Sequence, residues 1–157
     1  MGKYDNYELA GPEREQALAA VRQQLTAWGL TMPPVTPLVM HFGLGRFYEV
    51  GEVEFWVANE AQLGYCGKFL YVFDGQTCPY HQHNLKHETF FIVKGEIRMT
   101  MGEESRAMKE GDLLVMPPST GHTFTGIGNA LILEVSMPSI LNDNFFADKA
   151  IGDDGVI

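Results

Sequence analysis

A chain of 157 residues, 45% of them hydrophobic, is long enough to bury a core of its own without disulfide or metal staples, and it reads as one domain. Its 11 Lys and Arg against 20 Asp and Glu leave a formal net charge of -9, which argues against nucleic acid or an anionic membrane as partner. Residues 1–6 hold no apolar segment and nothing approaches the roughly 18 apolar residues of a membrane span, so the expectation is a cytoplasmic protein with no export signal.

Residues 12–28 form the first element. Pro12 precedes the charged turn Glu13, Arg14 and Glu15, and Leu18, Val21, Leu25 and Trp28 recur at helical spacing before Gly29, which suits a C-terminal cap. The spacing predicts one amphipathic helix whose apolar stripe packs on the rest of the domain or on a partner subunit. Residues 31–37 carry three prolines and form a connector without regular structure. After it come short runs at 38–42, 47–50, 53–58, 68–73, 89–94, 96–101, 113–116, 120–124 and 131–136, separated by glycine, proline or polar turns. Gly95 is read as the break between two of them. The cadence predicts an all-β sandwich or barrel. From residue 142 the tail carries Asp143, Asp148, Asp153 and Asp154 with few large apolar residues after Phe146, and its last residues are expected to fray. The expected division is helix and connector over 1–37, barrel over 38–146 and tail over 147–157. Cys66 and Cys78 are expected as free thiols, because no secretion signal accompanies them and their spacing is not that of a zinc ribbon.

Residues 75–122 hold the chemistry. In an extended strand alternate side chains share a face, so His81-Gln82-His83 aims both imidazoles at one side of a sheet. Glu88 follows after a polar turn, and His122 arrives on a separate strand beyond Pro117-Pro118. Taken singly, each histidine reads better as a hydrogen-bonded core or surface residue; together, at this spacing among five histidines, the four point to a metal site. Such a mixed nitrogen and oxygen set suits Mn, Fe, Co, Ni or Zn. An Fe(II) ion there could activate O₂, or a Lewis-acidic ion could stabilise an enediolate while a base moves a proton between neighbouring carbons. Glu134, inside the apolar run 130–135, is the candidate base, against the blander reading of a solvent-facing strand glutamate. Lys68 and Lys86 pose the same inward-or-outward choice. His87 has the wrong strand parity for a fifth ligand, and the role of His41 stays open. Tyr71, Tyr80, Phe90 and Phe124 are pocket candidates, although aromatic strand residues are usually core.

Gly75, His81, His83, Glu88 and Gly95 fill every position of the first motif of the cupin family, and Gly111, Asp112, Pro117 and His122 fill most of the second. On these residues the chain resembles the cupins, with Ser119 standing where the family often has glycine. The resemblance implies an all-β cupin fold, a double-stranded β-helix or jelly-roll barrel, here carrying an N-terminal α-helix. A narrower likeness rests on the run 66–79, on Phe42-Gly43-Leu44-Gly45, on Glu134-Val135-Ser136 and on Asp143-Asn144-Phe145-Phe146, and covers about 42–146. Over these residues the chain is similar to the D-lyxose ketol-isomerases, cupin-type sugar isomerases. That resemblance implies an aldose-ketose isomerase acting on D-lyxose or D-mannose through a cis-enediolate chelated by a divalent ion. Mn²⁺ is the first expectation, with Zn, Fe, Co or Ni as alternatives. It implies Glu134 as acid and base, with Lys68, Lys86 and Asp143 near the sugar, and Lys86 is expected to share the catalytic role. Gln76, within the matching run, and Phe124 complete the expected substrate-binding set. An Fe(II) dioxygenase and a non-catalytic sugar sensor remain the alternative readings, because one fold serves many functions. A homodimer is expected, since an uncovered sheet edge otherwise invites aggregation.

Overall fold

The computed structural model describes residues 6–157. Residues 1–5, on which most of the reading for an export signal rests, lie outside the described residues. Helix α1 spans Gly11–Ala27 with proline in its first turn, where a missing N–H costs nothing. Its buried side chains are Ala17, Leu18, Val21 and Leu25, and Gly29 takes φ of 70°, the left-handed conformation that closes a helix. Trp28 ends the expected stripe at the C-cap, its ring 6.1 Å from that of Tyr71.

Nine strands follow: β1 (Leu38–Met40), β2 (Glu52–Glu60), β3 (Tyr65–Val72), β4 (Thr77–Gln82), β5 (Glu88–Met101), β6 (Glu104–Lys109), β7 (Leu113–Met116), β8 (His122–Ser136) and β9 (Phe145–Phe146). Long strands β5 and β8 run antiparallel from Glu88 opposite Ser136 to Met101 opposite His122. On its other edge β8 pairs first with β4, through residues 122–125, and then with β3, through residues 130–136. The sheet therefore continues along β3, β2 and β1 in one direction and along β4 and β9 in the other, and it curls into a barrel. Among the described residues no helix is long and apolar enough to cross a membrane.

Gly95 does not end a strand. It sits in a bulge between Lys94 and Glu96 with φ of 78°, and a Cβ there would collide with the carbonyl oxygen of Asn129. A second register shift lies between Ile92 and Lys94, and across the two the parity flips: Phe90 and Ile92 face the interior before them, Ile97 and Met99 after them. Two predicted runs are thus one strand of 14 residues, and likewise 131–136 and all but the first two residues of 120–124 belong to a strand of 15. Residues 47–50, expected as strand, form a turn in which the Val50 N–H donates to Arg46 at 3.0 Å. Strand β6 was not anticipated, because of its side chains only Met108 is buried.

The barrel interior is filled by Leu70, Val72, Phe90, Ile92, Ile97, Met99, Phe124 and Ile132 among others. A second core lies between the outer face of the sheet, with Val39, Val53, Phe55, Tyr71 and Leu131, and the helix stripe. Each large apolar side chain so buried contributes about 1.5–3 kcal/mol. Because Val53 and Phe55 of β2 face the helix, the alternating Glu52, Glu54 and Trp56 must face the cavity. The tail does not fray. Ile151 is buried without exposure, and the Phe146 N–H donates to Gly155 and the Ile157 N–H to Asn144, which seats Ile157 on the cavity wall.

Candidate metal centre and active-site pocket

His81 lies in β4, His83 one residue beyond it, Glu88 opens β5 and His122 opens β8. Cross-strand pairing of His81 with His122 brings two of them together, and a register shift between Cys78 and His81 turns Tyr80 outward. Nitrogen atoms from His81, His83 and His122 lie within 4.8 Å of one another. Glu88 faces the same point, with Oε1 3.4 Å from His83 Nε2 and Oε2 3.4 Å from His122 Nε2.

Backbone carbonyls orient the rings. The Nδ1 atoms of His81, His83 and His122 lie 2.7, 2.8 and 3.0 Å from the oxygens of Pro79, Asp143 and Thr120. A carbonyl only accepts, so each Nδ1 carries a proton, and the Nε2 atoms of His81 and His122 present lone pairs. Burial lowers His81 well below the ordinary imidazole value, assisted by His122 and His83, and burial likewise lowers His122. For Glu88 burial pushes upward, but the His83 ring and the Lys86 ammonium outweigh it and hold the carboxylate below its usual range. Ser119 adopts φ of 60°, the left-handed turn expected of glycine, and its N–H donates to the His83 carbonyl at 2.6 Å.

Glu88 Oε2 and His122 Nε2 are both buried without a hydrogen-bond partner. Two buried acceptors facing each other unpaired cost about 1–3 kcal/mol each. A cation between them removes that cost, and imidazole with carboxylate is a donor set for Mn, Fe, Co, Ni or Zn. The residues therefore fit a divalent ion.

Beside the cluster lies a cavity of about 280 Å³, whose wall includes Lys68, Lys86, Phe90, Phe124 and Glu134. Here the inward-or-outward choice resolves: Lys68, Lys86 and Glu134 all face the interior and are buried. Lys86 Nζ donates to Glu134 Oε1 at 3.0 Å and lies 2.7 Å from Glu88 Oε1. Lys68 Nζ lies 3.7 Å from Glu134 Oε2 and donates to Glu54 Oε1 at 3.0 Å. Alternating charges thus run from Glu54 through Lys68, Glu134 and Lys86 to Glu88. Burial alone would lower Lys86 and Lys68, yet the surrounding carboxylates together outweigh it, Glu134 with Glu88 at Lys86 and Glu134 with Glu54 and Glu52 at Lys68, and both stay above the ordinary lysine value.

Two expected substrate contacts stand off the cavity wall. Gln76 has no exposure: its amide donates to the Phe47 carbonyl and accepts from the Phe73 N–H at 3.0 Å, so it pins the turn before β4 and does not line the cavity. Asp143 is also absent from the wall. Its carboxylate accepts from the N–H groups of Asn84, Leu85 and Lys86 at 2.9 to 3.3 Å, which shapes the loop carrying Lys86. Phe90 and Phe124 line the cavity, whereas Tyr71 packs on the helix side and Tyr80 is exposed. His41 accepts from the N–H groups of Gly43 and Gly45 through Nδ1, at 3.1 and 3.3 Å, and His87 is exposed. Cys66 and Cys78 are free and buried. Sequence reasoning missed Glu52, Glu54 and Trp56 on the wall. Acids at alternate positions of a strand whose other positions are apolar were the available signal.

The Cupin domain family profile matches residues 68–136. A D-lyxose ketol-isomerase from Thermofilum sp. (strain ex4484_79) is 32% identical over 142 residues, covering 72% of this chain and 77% of the relative. L-ribose isomerase of Cellulomonas parahominis, solved with L-ribose, superposes with a TM-score of 0.76 at 18% identity, covering 96% of this chain and 98% of that one. L-ribose isomerase of Geodermatophilus obscurus does so with a TM-score of 0.74, also at 18% identity and with the same coverage of 96% and 98%. At that identity the two structures establish the fold.

Proposed function

This chain belongs to the cupin family, among its sugar isomerases, and we propose that it converts a small aldose, D-lyxose or D-mannose, into the matching ketose with a bound divalent ion, Mn²⁺ first among the candidates. The observation that carries this reading is the buried ammonium of Lys86, which joins the Glu134 carboxylate to Glu88 beside the histidines. A proton-transfer group thereby stands on the wall of the same cavity as the ligand set.

His81, His83, Glu88 and His122 would hold the ion, which when bound supplies Lewis acidity toward oxygens on adjacent carbons. The Glu134 carboxylate removes the proton from C2 of the ring-opened aldose. Its electron pair forms the C1–C2 double bond and the carbonyl electrons move to O1, giving a cis-enediolate. Lys86 donates toward the oxygen charge as it develops. The O2 proton passes to O1, the C2 carbonyl forms, and Glu134 returns its proton to C1. Fe(II) dioxygenases and sugar sensors use similar ligands, but neither chemistry requires a buried carboxylate and ammonium pair.

Glu134→Gln keeps the shape of the side chain and removes the base. It is expected to retain metal and sugar binding while kcat falls by about 10² to 10⁴. Loss confined to KM would contradict a proton-transfer role.

The protein is further proposed to act as a homodimer. On the outer face of β7, β5 and β8, Leu113 and Val115 neighbour Phe91 and Val135 in cross-strand register, all of them at least 36% exposed. That uncharged patch on a chain of net charge -9 suits a second copy in an isologous pairing, which keeps like charges apart.

A further inference from the structure

We propose that Glu52 is a specificity-determining residue, forming with Glu54, Lys68 and Trp56 a second polar subsite on the β2 wall of the cavity that reads the hydroxyl at C4 of the sugar. The inference rests on the isomerase reading for the identity of that sugar, and on the structure alone for the subsite.

The interior face of β2 presents two acids and an indole where an apolar strand would pack better, since Val53 and Phe55 on its other face already serve the helix. Three of the four polar side chains are committed to one another. Glu54 accepts from Lys68 Nζ at 3.0 Å and from Trp56 Nε1 at 2.6 Å, and Lys68 Nζ lies 4.9 Å from the centre of the Trp56 ring. Glu52 also interacts with the Glu54 carboxyl and the Cys78 thiol, yet one of its oxygens is left over. It is 5% exposed, it lines the cavity, and its Oε2 atom is buried with no hydrogen-bond partner. Native folds rarely leave such an atom orphaned without a ligand or a chemical use for it.

The chemistry of that orphan matches a hydroxyl. Burial first, and the neighbouring Glu54 second, push Glu52 well above the ordinary carboxyl value, which favours the protonated form, a group that can both donate and accept. A sugar hydroxyl does the same, and the Trp56 face offers an apolar surface to the adjoining C–H groups. Position then selects the carbon. C1 and C2 must lie between Glu134 and the histidine cluster for isomerisation, so the hydroxyls that extend along the cavity toward β2 belong to C4 and beyond. D-lyxose and D-mannose share their configuration at C2, C3 and C4, whereas L-ribose is the C4 epimer of D-lyxose. A site built around one orientation of that hydroxyl discriminates the pair, because the wrong epimer leaves the buried carboxyl unpaired.

The test compares wild type with Glu52→Met, of similar shape, and Glu52→Gln, using the full chain loaded with Mn²⁺. Wild type is expected to favour D-lyxose over L-ribose by roughly tenfold or more in kcat/KM, E52M to bring the ratio within about threefold, and E52Q to recover part of it. Calorimetric titration with D-arabinitol and ribitol, the alditols of the two sugars, reads the same discrimination without turnover. Failure of all aldoses to react would therefore defeat the isomerase reading while the alditol ratio still decides the subsite. Removing a buried carboxyl with one unpartnered oxygen also predicts that E52M melts above wild type. A less stable E52M, an alditol ratio unchanged by it, or a wild type that binds both alditols equally or neither would overturn the proposal.

Discussion

Each histidine of the cluster spends its Nδ1 on a backbone carbonyl and keeps Nε2 for the cavity, so protonating Nε2 destroys the site. The folded state also resists that protonation: His81 lies well below, and His122 below, the ordinary imidazole value, chiefly through burial. An unfolded chain binds protons on these rings below about pH 6.5 while the folded chain does not. Stability from this source is therefore complete above that value and declines as pH falls below it toward the depressed folded values. Thermal melts of the metal-free protein are expected to show a falling Tm between about pH 7.5 and 5.5, and a Tm unchanged across that window would contradict the neutral-imidazole geometry. These ligands were legible in the sequence because H-x-H on one strand, a carboxylate after a turn and a distant histidine form a pattern that chance rarely supplies. Glu52 and Glu54 were not, because alternate acids on a strand look solvent-facing until the helix is seen to cover the opposite face. Gln76 and Asp143 show a related ambiguity: a polar residue near a site serves the backbone as readily as the substrate, and both bond backbone groups here.

Among the elements, β5 carries the most consequence, since it delivers Glu88 to the metal cluster and Phe90 to the cavity and pairs with β6, β7 and β8. The two register shifts around Lys94, the second of them at Gly95, keep the hydrophobic face inward along both halves. An alanine in place of Gly95 faces both a left-handed φ and the backbone of Asn129. Gly95→Ala is expected to cost about 2–5 kcal/mol, read as a Tm lower by roughly 4–20 °C, and a wild-type melting curve would show that the bulge is dispensable. Sequence reasoning located this glycine and mistook its effect, because a strand break and a bulge leave the same local mark. The helix was readable from its stripe and cap. Strand β6 and the docked tail were not: β6 buries one side chain in six, and the tail is held by backbone pairing and by Ile151 and Ile157, which no periodicity announces.

At the scale of the whole molecule, the curled sheet encloses the cavity and carries an uncharged patch on the outer face of β7, β5 and β8. If that face joins two copies, light scattering should give twice the 17.5 kDa chain mass for wild type. V115E/V135E, which places carboxylates on neighbouring exposed positions opposite Thr89, should give the single-chain mass with its fold intact. A monomeric wild type would remove the dimer. The metal cluster, the Glu134 and Lys86 pair and the cavity between them together make one claim, that this barrel moves a proton between the first two carbons of a sugar. The most direct test is to incubate metal-stripped protein with D-lyxose, D-mannose and their epimers, with and without added Mn²⁺, while following ketose and dissolved O₂. Metal-dependent ketose formation at constant O₂ is the predicted result; O₂ consumed in step with product, or no turnover of any aldose with any divalent metal, would contradict it.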